Sequence, residues 1–145
     1  MRVFYATPFV LTLPPGHRFP MHKYALLRDE LAREPAFRLC QAEPASDGEL
    51  ALVHTPQYID AITHGTLAPA LQREMGFPWS PAMAERARRS VGATVQAARA
   101  ALFDGEGVAA NCRVPDDCID PKRRALFVSR AVMRGLIEQL RSEAT

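Results

Sequence analysis

The chain has 145 residues, the length of one ordinary domain, and a chain of that size buries roughly 68–70% of its unfolded surface. With 48% hydrophobic and 23% charged residues it holds enough apolar surface to offset chain entropy, which excludes a largely disordered chain. Eighteen Lys and Arg against sixteen Asp and Glu leave a net charge of +2, too small an excess to indicate nucleic-acid binding, and no run of about 18 apolar residues suggests a membrane span.

Arg2 to Ala6 (RVFYA) reads as a short strand, because Val3, Phe4 and Tyr5 suit a pleated, half-buried surface. Thr7 to Pro20 holds four prolines besides Gly16 and reads as a loop. A helix is predicted from Met21 to Glu34, with Tyr24, Leu27 and Leu31 on one face and Pro35 as its stop. Phe37 to Gln41 is a second short strand. Ser46 and Glu49 have capping-box spacing and start a short helix, Asp47 to His54, with Leu50 and Val53 inward. Thr55-Pro56 pairs an N-cap with a proline where the missing N–H does no harm, and Tyr58, Ile59 and Ile62 form the apolar face before Gly65 ends the helix. Pro69 to Met75 is one more short helix.

Ser80-Pro81 repeats the start signal, and Pro81 to Phe103 is the best-defined helix. Ala84, Ala87, Val91, Val95, Ala98 and Leu102 recur every three or four residues, while Arg86, Arg89 and Gln96 lie elsewhere. Gly92 in mid-helix costs roughly 1 kcal/mol against Ala, and a close helix contact would account for it. Val108 to Asn111 reads as a short buried strand. Cys112 to Pro121 is polar and turn-rich, and Lys122 to Leu140 reads as a basic amphipathic helix.

The three cysteines, Cys40, Cys112 and Cys118, are odd in number and irregularly spaced, which favours reduced thiols and a cytoplasmic chain. Apolar residues follow Arg2 as in a signal peptide, but Pro8, Pro14 and Pro15 interrupt them and no small-residue cleavage pattern follows. His17, His22, His54 and His64 form no local zinc pair, and Cys112 and Cys118 lack zinc-finger spacing. No phosphate-binding glycine loop and no nucleophile elbow is present. Taken alone, His54 reads as a capping or hydrogen-bonded residue, and the Phe77-Pro-Trp79 turn as a packing anchor with ligand contact as the alternative.

Several segments in register carry more than any one of them: Gly16 to Met21 (GHRFPM) with Lys23-Tyr24, Leu52 to His54 with Pro56 and Tyr58, Gly76 to Pro81 (GFPWSP), Arg89 to Thr94 (RSVGAT) and Gly107 to Asn111 (GVAAN). In this order they resemble the N-terminal part of the bacterial histone deacetylase-like amidohydrolases, which include zinc-dependent deacetylases, acetoin-utilisation proteins and acetylpolyamine amidohydrolases. The resemblance covers residues 1–111 and leaves 112–145 as a divergent loop and amphipathic helix. It implies a partial arginase/deacetylase fold: α/β, helix-rich, with two or three short parallel strands. It also implies a family reaction, hydrolysis of acetyl-lysine or other acetylated amines, in which a zinc-bound water attacks the amide carbonyl beside two adjacent histidines.

The sequence departs from that pattern after Asn111. Where the family carries a glycine pair and the two histidines, this sequence reads Cys112 to Cys118 (CRVPDDC), and it contains no adjacent histidines. No zinc-ligand role is carried onto Asp116, Asp117 or Asp120, and neither a catalytic residue nor a metal ligand is assigned. No cofactor is expected in this chain, zinc belonging to the complete family. The resemblance leaves substrate-channel candidates: His22 or Lys23, with Arg18 behind them, as the cation beside an internal channel, and Phe77 and Trp79 near the channel rim. The expectation is a truncated or divergent member, inactive alone, produced by a frameshift, truncation or split gene. Its partner would be a separately encoded C-terminal half or a second copy, with an acetylated amine as substrate only if completed, and neither nucleic acid nor membrane is expected. The alternative is a non-enzymatic helical interaction or scaffold domain.

Overall fold

The computed structural model describes residues 1–7, 11–17, 19–104 and 107–112. The expected helix Lys122 to Leu140, most of the loop before it and the candidate Arg18 lie outside the described residues. Among the described residues three strands and five helices run in the order β1 (Arg2–Tyr5), α1 (Lys23–Ala32), β2 (Arg38–Gln41), α2 (Asp47–Ala51), α3 (Pro56–His64), α4 (Pro69–Met75), α5 (Pro81–Leu102) and β3 (Ala109–Asn111). The strands form one parallel sheet in the order β2-β1-β3, with Arg2 opposite both Arg38 and Ala109. This is the α/β, helix-rich arrangement that the sequence predicts.

The helix starts follow the predicted side-chain chemistry. Ser46 and Glu49 form the complete capping box of α2. Thr55 and Ser80 each accept an N–H of the first turn of α3 and α5, at 3.3 and 3.1 Å, with proline in that turn. Gly65 and Gly76 end α3 and α4 in the left-handed conformation, both at φ 72°.

The core has two main layers with α5 between them. One side of α5 (Ala84, Val91, Val95) packs with Leu50, Ile59, Ile62 and Met75 from α2, α3 and α4. Another side (Ala93, Ala97, Ala100) packs on Phe4 of β1 and on Ala42. The predicted stripe is therefore only half of the buried surface of α5. Its expected member Leu102 is 62% exposed, and the sheet-facing alanines extend burial to a second face.

Gly92 is required by a loop, not by a helix. A Cβ there would stand 2.0 Å from the Glu43 carbonyl oxygen. The close approach lets Ala45 N–H reach the Arg88 carbonyl at 3.0 Å. The neighbouring side chains hold the same loop: Arg89 donates to Ala42 O at 2.6 Å, and Gln96 donates to Glu43 O at 3.2 Å. Arg88 ties that loop to α2 and α3 through Ala45 O, Asp47 and Thr63.

Three other expectations are corrected. α2 ends at Ala51, and Val53, expected inward, is 37% exposed because the chain turns out of the helix before it. In α1 only Tyr24 is buried, Leu27 and Leu31 being half-buried, because one short strand, β2, lies beneath that helix. β3, expected buried, is half-buried, with Val108 57% exposed, because it is the edge strand among the described residues.

Candidate functional site at the strand ends

In an open parallel α/β sheet, ligands meet the chain beyond the C-terminal ends of the strands. Here β1 runs into Tyr5, Ala6 and Thr7, and β3 into Asn111 and Cys112. These residues, with Tyr24 of α1 and Arg86 and Ser90 of α5, line a crevice enclosing about 10 Å³, room for one water. Arg86, Ser90 and Thr94 stand four residues apart and so share one side of α5. Asn111 joins them by donating its side-chain amide to Thr94 Oγ1 at 2.8 Å.

The crevice combines apolar walls with a few polar groups and one positive charge. The Arg86 guanidinium lies 4.6 Å from the centre of the Tyr24 ring, a cation–π contact. Arg86 Nε and Thr7 Oγ1 are buried and make no hydrogen bond among the described residues, so both can serve a small polar ligand or an ordered water. Cys112 is buried, and burial pushes its thiol above the ordinary range, with the Arg28 charge acting against that shift.

Zinc needs three or four donors drawn from Cys, His, Asp and Glu. The strand ends supply one thiol held protonated, two phenols, two hydroxyls, an amide and a guanidinium that repels cations. Among the described residues no three His, Cys, Asp or Glu side chains stand together as a metal-binding group. The described residues therefore do not fit a zinc centre.

The sequence-derived channel candidates fall in three places. His22 is exposed and makes no capping bond at the start of α1. Lys23 turns inward, its Nζ 4.6 Å from the Phe19 ring and 5.3 Å from the Tyr24 ring, so it reaches the crevice through Tyr24. Phe77 belongs to an aromatic group with His17 (5.3 Å) and Phe19 (5.1 Å) that locks the Gly16 to Lys23 loop against the start of α5. His17 Nδ1 accepts from Phe19 N–H at 3.2 Å, and its Nε2 lies 3.1 Å from Gly76 O.

Trp79 packs against the end of α3. Its indole N–H donates to Ile62 O at 2.8 Å, and its ring lies where a Cβ on Gly65 would fall, 2.6 Å away. It also borders an open groove of about 400 Å³ with Leu11, Leu13, Pro14 and Ser80. Phe77 and Trp79 thus share one loop as anchors, while Lys23 alone of the described candidates adjoins the crevice.

Sequence reasoning missed Arg86, Ser90, Thr7 and Asn111 as members of one site. The legible signal was the Arg86, Ser90, Thr94 spacing, a polar stripe on a helix otherwise rich in alanine.

Fold and crevice together define an open parallel α/β unit with a site at its strand ends. Residues 17–116 match the histone deacetylase domain, and the chain belongs to that family. An uncharacterised protein of Picosynechococcus sp. is 37% identical over 106 residues, 71% of this chain and 35% of that protein. The crystal structure of an HDAC homologue complexed with SAHA shares the fold at TM-score 0.66 and 21% identity, over 95% of this chain and 41% of that one. An HDAC homologue from Aquifex aeolicus matches at TM-score 0.66 and 20% identity over the same shares. The chain thus spans 35% of the length of its curated relative.

Proposed function

We propose that these 145 residues form the N-terminal part of a histone deacetylase-like amidohydrolase, a frame that shapes one wall of the site without supplying its reaction centre. On this reading the family reaction is hydrolysis of acetyl-lysine or another acetylated amine, and the chain is inactive alone as a truncated or divergent member. The observation that carries the reading is the donor set at the strand ends. Tyr5, Thr7, Tyr24, Arg86, Ser90 and Asn111 surround a single thiol with no carboxylate or imidazole among the crevice residues. The zinc of the complete family would thus need ligands other than these. Lys23 and Arg86, both against Tyr24, are the cations placed to face a polar group in the crevice. Phe77 and Trp79 keep the loop that would border a substrate channel in place.

The free thiols Cys40 and Cys112 support a cytoplasmic setting. Among the described residues no helix is long and apolar enough to cross a membrane. The purified chain, supplied with zinc, is predicted to release no acetate from an acetyl-lysine peptide above the buffer rate. Sustained turnover that a chelator abolishes would overturn the reading.

A further inference from the structure

The three arginines in the first half of α5 are balanced differently. Arg88 meets Asp47 at 2.6 Å, and Arg89 meets Glu85 at 2.9 Å. No carboxylate pairs with Arg86 among the described residues, and its Nε is buried without a hydrogen bond. The Tyr24 ring, 4.6 Å away, attracts this guanidinium but does not neutralise it. A charge withdrawn from water without a counter-charge is destabilising, so the crevice that Arg86 lines favours an anion.

The other groups of the crevice agree. Thr7 is 6% exposed, and its hydroxyl has no partner among the described residues, leaving a second buried donor on the same crevice. Cys112 is buried with its thiol kept protonated, a weak third donor. No carboxylate lines the space to repel an anion. Size selects among anions. The crevice encloses about 10 Å³, room for one water-sized particle, whereas a carboxylate or phosphate spreads over several heavy atoms. A water there would satisfy the two donors and leave the charge unbalanced.

We propose that the crevice is a halide site, taking one chloride ion against the Arg86 Nε–H and the Thr7 hydroxyl. The ion joins the end of β1 to α5 and stabilises the folded chain by mass action. The site needs neither zinc nor turnover, so it stands or falls apart from the reading of the chain as an inactive frame. Acetate release by the chain bears on that reading alone.

The test follows the chloride-35 NMR line width as the full chain is added to sodium chloride. Saturable broadening is expected, displaced by bromide and left in place by an equal concentration of acetate. Arg86→Gln and Thr7→Val each remove one donor and weaken chloride binding by about tenfold, the loss of one charge-assisted hydrogen bond. Arg38→Gln, at an exposed arginine of β2, leaves it unchanged. Crystals of the wild-type chain soaked in bromide are expected to show an anomalous peak within hydrogen-bond distance of Arg86 Nε and Thr7 Oγ1, a result that does not depend on how the variants fold. A water in place of that peak overturns the proposal. So does a peak without broadening in solution, an adventitious ion only. Displacement by acetate as readily as by bromide, or broadening unchanged in both crevice variants, also overturns it.

Discussion

A methyl group on Gly92 would meet the Glu43 carbonyl oxygen, a backbone atom that cannot rotate aside. The loop it meets is fixed from both sides by Arg88, Arg89 and Gln96. Gly92→Ala gains helix propensity, roughly 1 kcal/mol, and loses more through overpacking, so a net destabilisation of about 2 kcal/mol is predicted. Urea unfolding checks it through a lower midpoint at unchanged slope. His54 gives a second residue-scale prediction. Burial beside Tyr58, on which its ring stacks at 5.2 Å, holds its pKa below 6.5. The unfolded chain then takes up the proton first, so the contribution is full above about pH 6.5 and is lost as pH falls through the folded value. His54→Gln should flatten the fall in stability below that pH, measured by unfolding at pH 7.5 and 5.5, and an unchanged pH dependence would contradict it.

At the scale of elements, the long helix α5 depends on its cap and on two unlike faces. Ser80→Ala removes the acceptor for Met83 N–H and should cost about 1 kcal/mol, seen as a fall in thermal midpoint with helix content retained. Caps and stops were legible because they are local: Ser46, Thr55, Ser80, Gly65 and Gly76 act within a few residues. The second buried face of α5 was not legible, because alanine is compatible with exposed and buried positions alike. Ala93, Ala97 and Ala100 are buried only because β1 and β3 lie against them. The same limit hid the site. Thr7, Arg86 and Asn111 are far apart in sequence, and only the parallel order β2-β1-β3 brings their ends together. Val53 shows the opposite error, an apolar residue at helical spacing placed outside because the helix ends first.

At the scale of the whole molecule, a parallel sheet with α5 behind it supports a crevice whose chemistry is hydroxyl, amide, phenol and guanidinium. Such groups bind and orient polar ligands, and they do not hold a divalent ion against an arginine. The family match supplies the frame, and among the described residues no donor set fits the family's metal. The most direct measurement is zinc stoichiometry of the purified chain after dialysis against buffer with micromolar zinc. The account predicts well under one tenth of an equivalent, unchanged by Cys112→Ser. One tightly held equivalent per chain, lost in that variant, would contradict it.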